Sequence, residues 1–282
     1  MRITTLIENR AADRDPRLTA EWGLSLHIAC GGGRILLDTG ASGAFVKNAA
    51  LLGVDLGTVD AAVLSHHHYD HGGGLRRFFE VNTTARVHLA KPPQGVCWAR
   101  RFRVLRRCIG IDPAIFEQHH GRFATVREAT EILPGVFLFP DIHGPHARPG
   151  GNRILFLKNS GGFRRDDFRH EIAVAVRENG TLVVFTGCSH NGVLNILDTV
   201  RAALPGVPVR AVVGGFHMVS KPPFNTAADR SRAVAAVGRA MLDYPVELAW
   251  TGHCTGNKAY ATLKRVMGDR LNILRTGTVI DI

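Results

Sequence analysis

The sequence contains no long hydrophobic run and nothing that resembles a signal peptide. No stretch approaches the roughly 18 consecutive apolar residues that a membrane-spanning helix needs, so we expect no membrane partner. The first eight residues have a strand-like pattern, without the long apolar region and small-residue cleavage site of a secreted precursor. We therefore expect the protein in the cytoplasm.

Cysteine is scarce, with five residues in 282. Their number is odd and their spacing irregular, which does not suggest a disulfide framework. Cys188 and Cys254 each lie within two residues of a histidine, which makes them candidates for a metal or catalytic site. We interpret the other three, Cys30, Cys97 and Cys108, as small buried hydrophobic residues.

Acidic residues are also scarce, because 35 Lys and Arg against 24 Asp and Glu leave a net charge of +11. An excess of positive charge favours anionic partners such as phosphorylated metabolites, carboxylates or nucleic acid. It is equally compatible with a generally arginine-rich surface. Residues 98–107 interleave basic and aromatic side chains. Such a stretch can bind an anionic ligand or RNA, but more often forms a helix with one solvated basic face.

The remaining sequence has the composition of a globular protein, with 45% hydrophobic residues. A chain of this length can bury a large core as one domain. Strand and helix patterns alternate on both sides of a weakly patterned segment, rich in basic residues and prolines, from about residue 91 to 150. We predict a single domain over 1–282. Residues 91–150 are predicted to be an insertion, part helix and part loop, that covers the site.

Apolar runs separated by turn signals predict alternating strands and helices. Strands are predicted at 24–30, 34–38, 61–65, 154–157, 171–176, 181–186, 209–213, 247–251 and 272–274. Helices are predicted at 43–52, 193–204, 227–242 and 259–267. Two half-units of strands and helices indicate a layered α/β sandwich.

A dense histidine cluster follows the apolar run 61–64. Residues 65–74 read Ser-His-His-His-Tyr-Asp-His-Gly-Gly-Gly. Imidazole and carboxylate groups together suit zinc, and equally manganese or iron. In an extended segment His66 and His68 point to the same side, and after a turn Asp70 and His71 can face a second ion. Residues 65–74 could instead be a solvated histidine-rich loop that binds metal adventitiously. That interpretation does not explain the histidines and the cysteine that follow other predicted strands.

Further polar residues lie where predicted strands end, as is common for chemistry in α/β proteins. They are Asp38, Cys188, His190, His217 and His253. One histidine after a strand is usually a structural residue. Three, each beside a glycine or a small polar residue and combined with the dense cluster, indicate a single site.

With these motifs the chain resembles the metallo-β-lactamase superfamily. His66, His68, Asp70 and His71 match its His-x-His-x-Asp-His motif. Further motifs are Gly-Cys-Ser-His at 187–190, Gly-Gly-Phe-His at 214–217 and Gly-His-Cys-Thr-Gly at 252–256. Together they are similar to a branch of class II metal-dependent hydrolases that includes dihydropterin-methyl-ribofuranosylaminobenzene-phosphate synthases.

The resemblance implies a four-layer αββα sandwich with two divalent metal ions at the edge of its sheets. It implies His66, His68 and His190 around one ion, Asp70, His71 and His253 around the other, and Asp38 as support for the metal loop. Where the superfamily has a bridging aspartate, this chain has Cys188. A thiolate binds zinc, so either Cys188 is a ligand or no protein group bridges and one ion is held weakly.

Two divalent ions about 3.5–4 Å apart can share a hydroxide that is nucleophilic at neutral pH. We therefore predict a metal-dependent hydrolase of a small anionic substrate that bears a phosphate or a carboxylate. Zinc is the expected metal, with manganese or iron as alternatives. Asp70 is predicted to orient the nucleophile, and His217 to contact the substrate or donate a proton. Arg148, Arg153 and Lys221 are candidates for binding the anion.

Other functions stay open at this point. One is a transferase that joins a pterin diphosphate to an arylamine, as the resemblance implies. Another is a non-catalytic metal-binding sensor. Nucleic-acid-processing members of the superfamily normally carry a larger inserted domain, so we do not expect a nucleic-acid partner, although the charge of +11 keeps the idea open. The sequence also leaves open a homo-oligomer.

Overall fold

The computed structural model describes residues 1–13, 15–101, 105–218, 227–244 and 246–282. Its strands are β1 Arg2–Ile7, β2 Ser25–Cys30, β3 Gly33–Leu37, β4 Ala61–Leu64, β5 Arg86–Ala90, β6 Val96–Arg101, β7 Leu105–Cys108, β8 Phe123–Val126, β9 Thr130–Leu133, β10 Val136–Phe139, β11 Leu155–Asn159, β12 Gly162–Arg165, β13 Ala173–Glu178, β14 Thr181–Thr186, β15 Val209–Gly215, β16 Leu248–Gly252, β17 Leu271–Ile273 and β18 Val279–Asp281. Its α-helices are α1 Ala44–Leu51, α2 Tyr69–Gly72, α3 Leu75–Val81, α4 Pro113–Gln118, α5 Val193–Ala203, α6 Ala227–Asp243 and α7 Asn257–Met267.

Two seven-stranded sheets lie face to face. The first has the order β18-β1-β2-β3-β4-β5-β8, and the second β17-β16-β15-β14-β13-β10-β9. Side chains alternate between the two faces of a strand. In β3, Ile35 and Leu37 therefore join the core between the sheets, whereas Leu36 joins the core beneath the helices. Because both faces of such strands are covered, their apolar runs are continuous.

Helices cover the outer faces of both sheets. Phe45 of α1 and Phe78 of α3 pack in the core outside the first sheet. Leu197 of α5, Met241 of α6 and Leu263 of α7 pack in the core outside the second. This order of layers confirms the predicted four-layer αββα sandwich. Among the residues that the structure describes, no helix has both the length and the apolar character needed to cross a bilayer.

The site lies at an edge where several strands end. In the first sheet β3 and β4 are parallel neighbours, and in the second β14, β15 and β16 are parallel neighbours. The carboxyl ends of parallel strands meet at one edge of a sheet, where α/β proteins bind ligands. The chain segments that carry the predicted site residues leave the sheets there.

The stretch 91–150 does not fold as one insertion. Its β8 extends the first sheet, and β9 and β10 extend the second. Of the strands described in this stretch, only β6 and β7 leave the sandwich, and they join β11 and β12 in a third sheet of order β12-β11-β6-β7. Gly110, just after β7, forms a bridge with His68, so this third sheet lies against the metal loop.

The helix considered for residues 98–107 is wrong for the described part of that stretch, which forms β6 and β7. The stretch forms strands because alternate side chains are buried. Cys97 on β6 packs inward, as do Leu155 and Leu157 on the paired strand β11. The same alternation corrects the burial predicted for the cysteines. Cys97 is buried, but Cys108 points outward from the edge strand β7 and is exposed, and Cys30 is half-buried.

Candidate metal centre

Three histidines converge on one side of the site, and we call His66, His68 and His190 the imidazole group. Their side chains are buried. His66 Nε2 lies 3.0 Å from His68 Nδ1 and 3.3 Å from His190 Nε2. A neutral ring has one N–H donor and one lone pair, so a single His66 hydrogen cannot satisfy both contacts. A cation between the three nitrogens satisfies all of them.

Burial keeps these three rings neutral. Desolvation, followed by the charge of neighbouring histidines, lowers the pKa of His66 and of His190 well below the ordinary value. Desolvation lowers the pKa of His68 to about 3. A neutral imidazole is the form that binds a metal ion. The residues present therefore fit a divalent cation at this position.

Asp70, His71 and His253 form the second cluster, which we call the carboxylate group. His71 Nε2 lies 3.1 Å from His253 Nε2, and Asp70 Oδ2 lies 3.5 Å from His253 Nε2. The one-turn helix α2 begins directly after His68 and carries Asp70 and His71. That turn places the group beside the first, with 4.1 Å between the His66 and His71 ring centroids.

The carboxylate group contains an ionised carboxylate, Asp70, unlike the imidazole group. Burial raises the pKa of Asp70, but the contacts with His71 and His253 outweigh this and lower the pKa below its usual range. Burial alone would lower the pKa of His253, but the hydrogen bond with Asp70 raises it to about 9. If a cation replaces the proton on His253, the ionised Asp70 beside it can bind that cation without first losing a proton.

Cys188 lies between the two groups. Its Sγ is 3.3 Å from His71 Nε2. Ligand atoms of Cys188, His66 and His71 lie within 4.8 Å of one another, as do those of Cys188, His253 and Cys254. Burial raises the pKa of the Cys188 thiol, so a thiolate here needs a bound cation to stabilise it. Ligation by Cys188 stays a prediction, and its position is suitable for a bridge.

Asp38 contacts the residues that hold the metal loop. Its carboxylate accepts hydrogen bonds from the backbone N–H and the hydroxyl of Ser65, at 2.7 and 2.6 Å, and lies 2.6 Å from His71 Nδ1. This contact leaves His71 Nε2 directed at the centre, the usual role of a carboxylate behind a metal-binding histidine. A Cβ on Gly187 would lie 2.0 Å from Ser65 Oγ, so only glycine fits there.

Four residues that sequence analysis missed orient the histidines: Glu8, Asn9, Asn152 and Glu171. The backbone N–H of His253 donates to Glu8, and its Nδ1 lies 2.9 Å from Asn9 Oδ1. The backbone N–H of His190 donates to Glu171 at 2.6 Å, and its Nδ1 lies 2.9 Å from Asn152 Oδ1. The sequence does mark Glu8 and Asn9, because both come directly after strand β1. Other site residues also come directly after the ends of strands.

His217 joins the site from the end of β15. Its ring centroid is 4.1 Å from that of His190. Both ring nitrogens are buried and have no hydrogen-bond partner among the described residues. His217 also lines a cavity of about 480 Å³ between the loop 146–151 and α6. Apolar residues such as Val193, Leu194 and Phe216 form much of its wall.

The predicted anion-binding cations are less central. Arg148 lines the same cavity, is exposed, and donates to the backbone carbonyl of Asp167 at 2.9 Å. Arg153 is exposed and lies outside the cavity wall that the described residues form. Lys221 lies outside the described residues. Of the three, Arg148 is therefore the cation that the structure brings next to the cavity.

Backbone strain is concentrated at the site. The φ angle is 60° at Asp38, 58° at Ser189, 45° at His217 and 43° at His253. A non-glycine residue in this left-handed region costs of order 1–3 kcal/mol and persists only where its surroundings impose it. The Ser189 hydroxyl, for example, donates to the Gly215 carbonyl at 2.7 Å. Strain of this kind is typical of functional sites.

Comparison with known proteins agrees with this geometry. Residues 28–159 match the sequence profile of the metallo-beta-lactamase superfamily. The whole chain superposes on the crystal structure of a metal-dependent hydrolase of the beta-lactamase superfamily, with a TM-score of 0.79, 28% identity and coverage of 100% of this chain and 99% of the other. The chain therefore has the metallo-beta-lactamase fold and resembles that superfamily in sequence.

Two further proteins are similar to this chain, one in sequence and one in fold. The chain is 27% identical, over 99% of its length and 96% of the relative, to 7,8-dihydropterin-6-methyl-4-(beta-D-ribofuranosyl)-aminobenzene-5'-phosphate synthase from Methanocaldococcus jannaschii. Zinc-bound PqqB from Methylobacterium extorquens has the same fold, with a TM-score of 0.56, 13% identity and full coverage of both chains. Proteins with this fold usually bind divalent metal ions, and this chain has candidate ligand groups for them.

Proposed function

We propose that the protein is a metal-dependent hydrolase of a small anionic substrate that bears a phosphate or a carboxylate. The observation that carries the proposal is the convergence of the imidazole and carboxylate groups, with Cys188 between them. Two zinc ions held there, or manganese or iron in their place, would supply an activated water and polarise the bond under attack.

Two side chains are suited to the proton transfers of hydrolysis. Asp70 stays ionised, because the attraction of His71 and His253 outweighs its burial. A buried, ionised carboxylate can orient an attacking water by accepting its hydrogen bond. His217 lies between the imidazole group and the cavity, and its ring nitrogens have no hydrogen-bond partner in the part of the chain that the structure describes. It is placed to contact the substrate or to donate a proton to the leaving group.

The cavity indicates what else the substrate contains. Its volume of about 480 Å³ lies in the range of small-molecule sites, about 300–1,000 Å³. The largely apolar wall suits a non-reacting hydrocarbon or ring portion. Arg148 in the wall and the net charge of +11 favour an anionic group on the same molecule. The substrate class is therefore a small molecule with an apolar body and an anionic end.

A second candidate is a transferase that joins a pterin diphosphate to an arylamine. The similarity over nearly the full length to a synthase favours it, and the apolar cavity also suits a flat ring system. A non-catalytic sensor is less well supported, because a cavity of small-molecule size lies beside the imidazole group and His217 lines it. Cytoplasmic location stays part of this proposal.

The test combines metal content with product analysis. Protein purified without added metal is assayed by elemental mass spectrometry, and then for release of nitrophenol from bis(4-nitrophenyl) phosphate. It is also given a pterin diphosphate with and without an arylamine. His66→Ala is compared with His143→Ala, which removes an exposed histidine and serves as the control.

A content near two equivalents, with nitrophenol release that is lost only in His66→Ala, supports the hydrolase. Diphosphate release that requires the arylamine supports the transferase instead. One equivalent of metal or less, which added metal does not raise, together with no turnover of any compound, contradicts both enzymes.

A further inference from the structure

The outer face of the third sheet combines positive charge with aromatic rings. Strand pairing sets Trp98 opposite Phe156, and Phe156 opposite Arg165. It also sets Arg100 opposite Arg106, and Lys158 opposite Phe163. Directly opposed residues share one face of a sheet. We call this surface the basic–aromatic face, with the cations Arg100, Arg106, Lys158 and Arg165 and the rings Trp98, Phe156 and Phe163.

The cations of this face lie over its rings. The Arg106 guanidinium is 4.0 Å from the Phe163 ring centroid, and the Lys158 ammonium is 5.3 Å from the Trp98 ring. Two guanidinium groups, those of Arg100 and Arg165, lie within 5.3 Å of the Phe156 ring. Such contacts hold cations close to the sheet. The face is therefore a layer of ordered positive groups on a half-buried aromatic floor.

In the part of the chain that the structure describes, these cations lack carboxylate partners. Among the described residues, no acidic side chain forms an ion pair with any of the four. Some cations elsewhere on the surface do have such partners, as Arg2 has Asp281 and Arg17 has Asp15. Strands in a sheet are about 4.8 Å apart, so four positive charges on this small sheet repel one another. An extended anion would relieve that repulsion.

We propose that the basic–aromatic face binds single-stranded nucleic acid. A single strand offers phosphates to lysine and arginine, and unstacked bases to aromatic rings and guanidinium planes. A duplex would leave the aromatic floor unused because its bases are already stacked. A membrane surface fits less well, since the three rings are half-buried rather than protruding. From sequence alone we do not expect a nucleic-acid partner, because nucleic-acid-processing members of the superfamily normally carry a larger inserted domain. The strand register that brings these residues onto one face is visible only in the structure.

This face is independent of the metal centre. The opposite side of the same sheet carries Cys97, Leu155 and Leu157, which are buried. Binding of a nucleic acid on the outer side therefore needs neither bound metal nor catalytic turnover. The proposal stands or falls without the hydrolase proposal.

The test is fluorescence anisotropy with the full chain and a labelled oligouridine of about 12 nucleotides, titrated between roughly 50 and 200 mM salt. The test variant combines Arg100→Gln, Arg106→Gln, Lys158→Gln and Arg165→Gln. The control variant combines Arg2→Gln, Arg17→Gln, Arg77→Gln and Arg275→Gln, which removes the same charge from cations that are ion-paired.

We expect the test variant to lose at least about tenfold in affinity, and the salt slope to fall by about 3, since each phosphate contact on a single strand contributes about 0.7. The control should stay within about twofold, because its charges are paired and screened. If the fourfold variant melts early, Arg106→Gln alone replaces it, because this side chain is exposed. Its slope should fall by about 0.7.

Three results would overturn the proposal. One is an equal loss of affinity in both fourfold variants. Another is binding of a duplex of the same length as tightly as the single strand. The last is binding of phosphatidylserine vesicles, lost in the test variant, with no binding of the oligonucleotide.

Discussion

The imidazole and carboxylate groups of the candidate metal centre both rely on histidines, but the ring nitrogens contact neutral groups in the first and carboxylates in the second. In the imidazole group, the Nδ1 atoms of His66 and His190 lie beside a hydroxyl and an amide. In the carboxylate group, His71 lies beside Asp38 and His253 beside Asp70. Affinity for a cation should therefore depend on neutral lone pairs on one side and on fixed negative charge on the other.

The largest expected difference concerns pH. In metal-free protein the folded imidazole group binds protons only below the ordinary histidine pKa, because burial lowers the pKa of His66, His68 and His190. The unfolded chain binds them at about 6.5. The free energy of unfolding should therefore fall as pH drops below about 6.5, by up to about 1.4 kcal/mol per pH unit for each histidine.

The carboxylate group should act in the opposite sense. The pKa of His253 is raised to about 9, so its stabilisation is complete below the unfolded pKa and is lost as pH rises through 9. Urea unfolding of chelator-treated protein across this pH range measures both effects. Equal stability at about pH 7 and pH 5 would contradict the neutral state inferred for the imidazole group.

The next largest effect is loss of a ligand from either side. Asp70→Ala removes the only carboxylate among the candidate ligands of the carboxylate group and leaves His253 without its anion. We expect activity to fall by more than the roughly 10–100-fold typical of changes behind the ligands. Elemental analysis should show one metal equivalent lost, and His66→Ala should lose the other. Retention of both ions in Asp70→Ala would remove it from the ligand set.

Cys188→Ala tests whether the two groups share a ligand. If the thiolate bridges, the affinity of both positions should fall, since Cys188 Sγ lies within ligand distance of residues from each group. Cobalt-loaded wild-type protein should show thiolate-to-metal charge-transfer absorption in the near ultraviolet, and the variant should not. Cys97→Ala removes another buried cysteine and provides the control. Absence of that absorption in wild type would favour an unbridged centre.

Asp38→Asn should affect the carboxylate group more than the imidazole group. Asparagine tolerates the left-handed backbone at this position, but it replaces the anion beside His71 Nδ1 with a neutral amide. We expect a loss of about 10–100-fold in metal affinity. Competition with a chromogenic chelator measures it. An equal loss at both positions would show that Asp38 acts on the loop as a whole.

Asn152→Ala should have the smallest effect. It removes a neutral hydrogen-bond partner from His190 Nδ1, and neutral hydrogen bonds are about half as strong as those with an ionised group. We expect a loss of about tenfold or less in metal affinity at the imidazole group. The same chelator competition measures it. If Asn152→Ala lost more metal affinity than Asp38→Asn, the neutral partner would matter more than the charged one, and the contrast drawn between the two groups would be wrong.

Much of the fold and of the ligand set was predictable from the sequence. Runs such as Thr181–Thr186 have a local signature, and the predicted strand there has the observed bounds. The histidines of the site follow strand ends and sit in dense motifs. Glu171 and Asn152 belong to no motif that the sequence reveals, because each contacts His190 only after distant segments fold together. The third sheet was missed for the same reason, since its pattern depends on pairing between β6 and β11.

The left-handed backbone at Asp38, Ser189, His217 and His253 has a consequence for protein engineering. Residues whose strained backbone serves a functional site are the ones that a search for heat resistance replaces first. Libraries selected only for thermal tolerance should therefore accumulate glycine or asparagine at these four positions and lose turnover. A screen that couples survival at high temperature to product formation would retain them and direct stabilising changes to the sandwich cores.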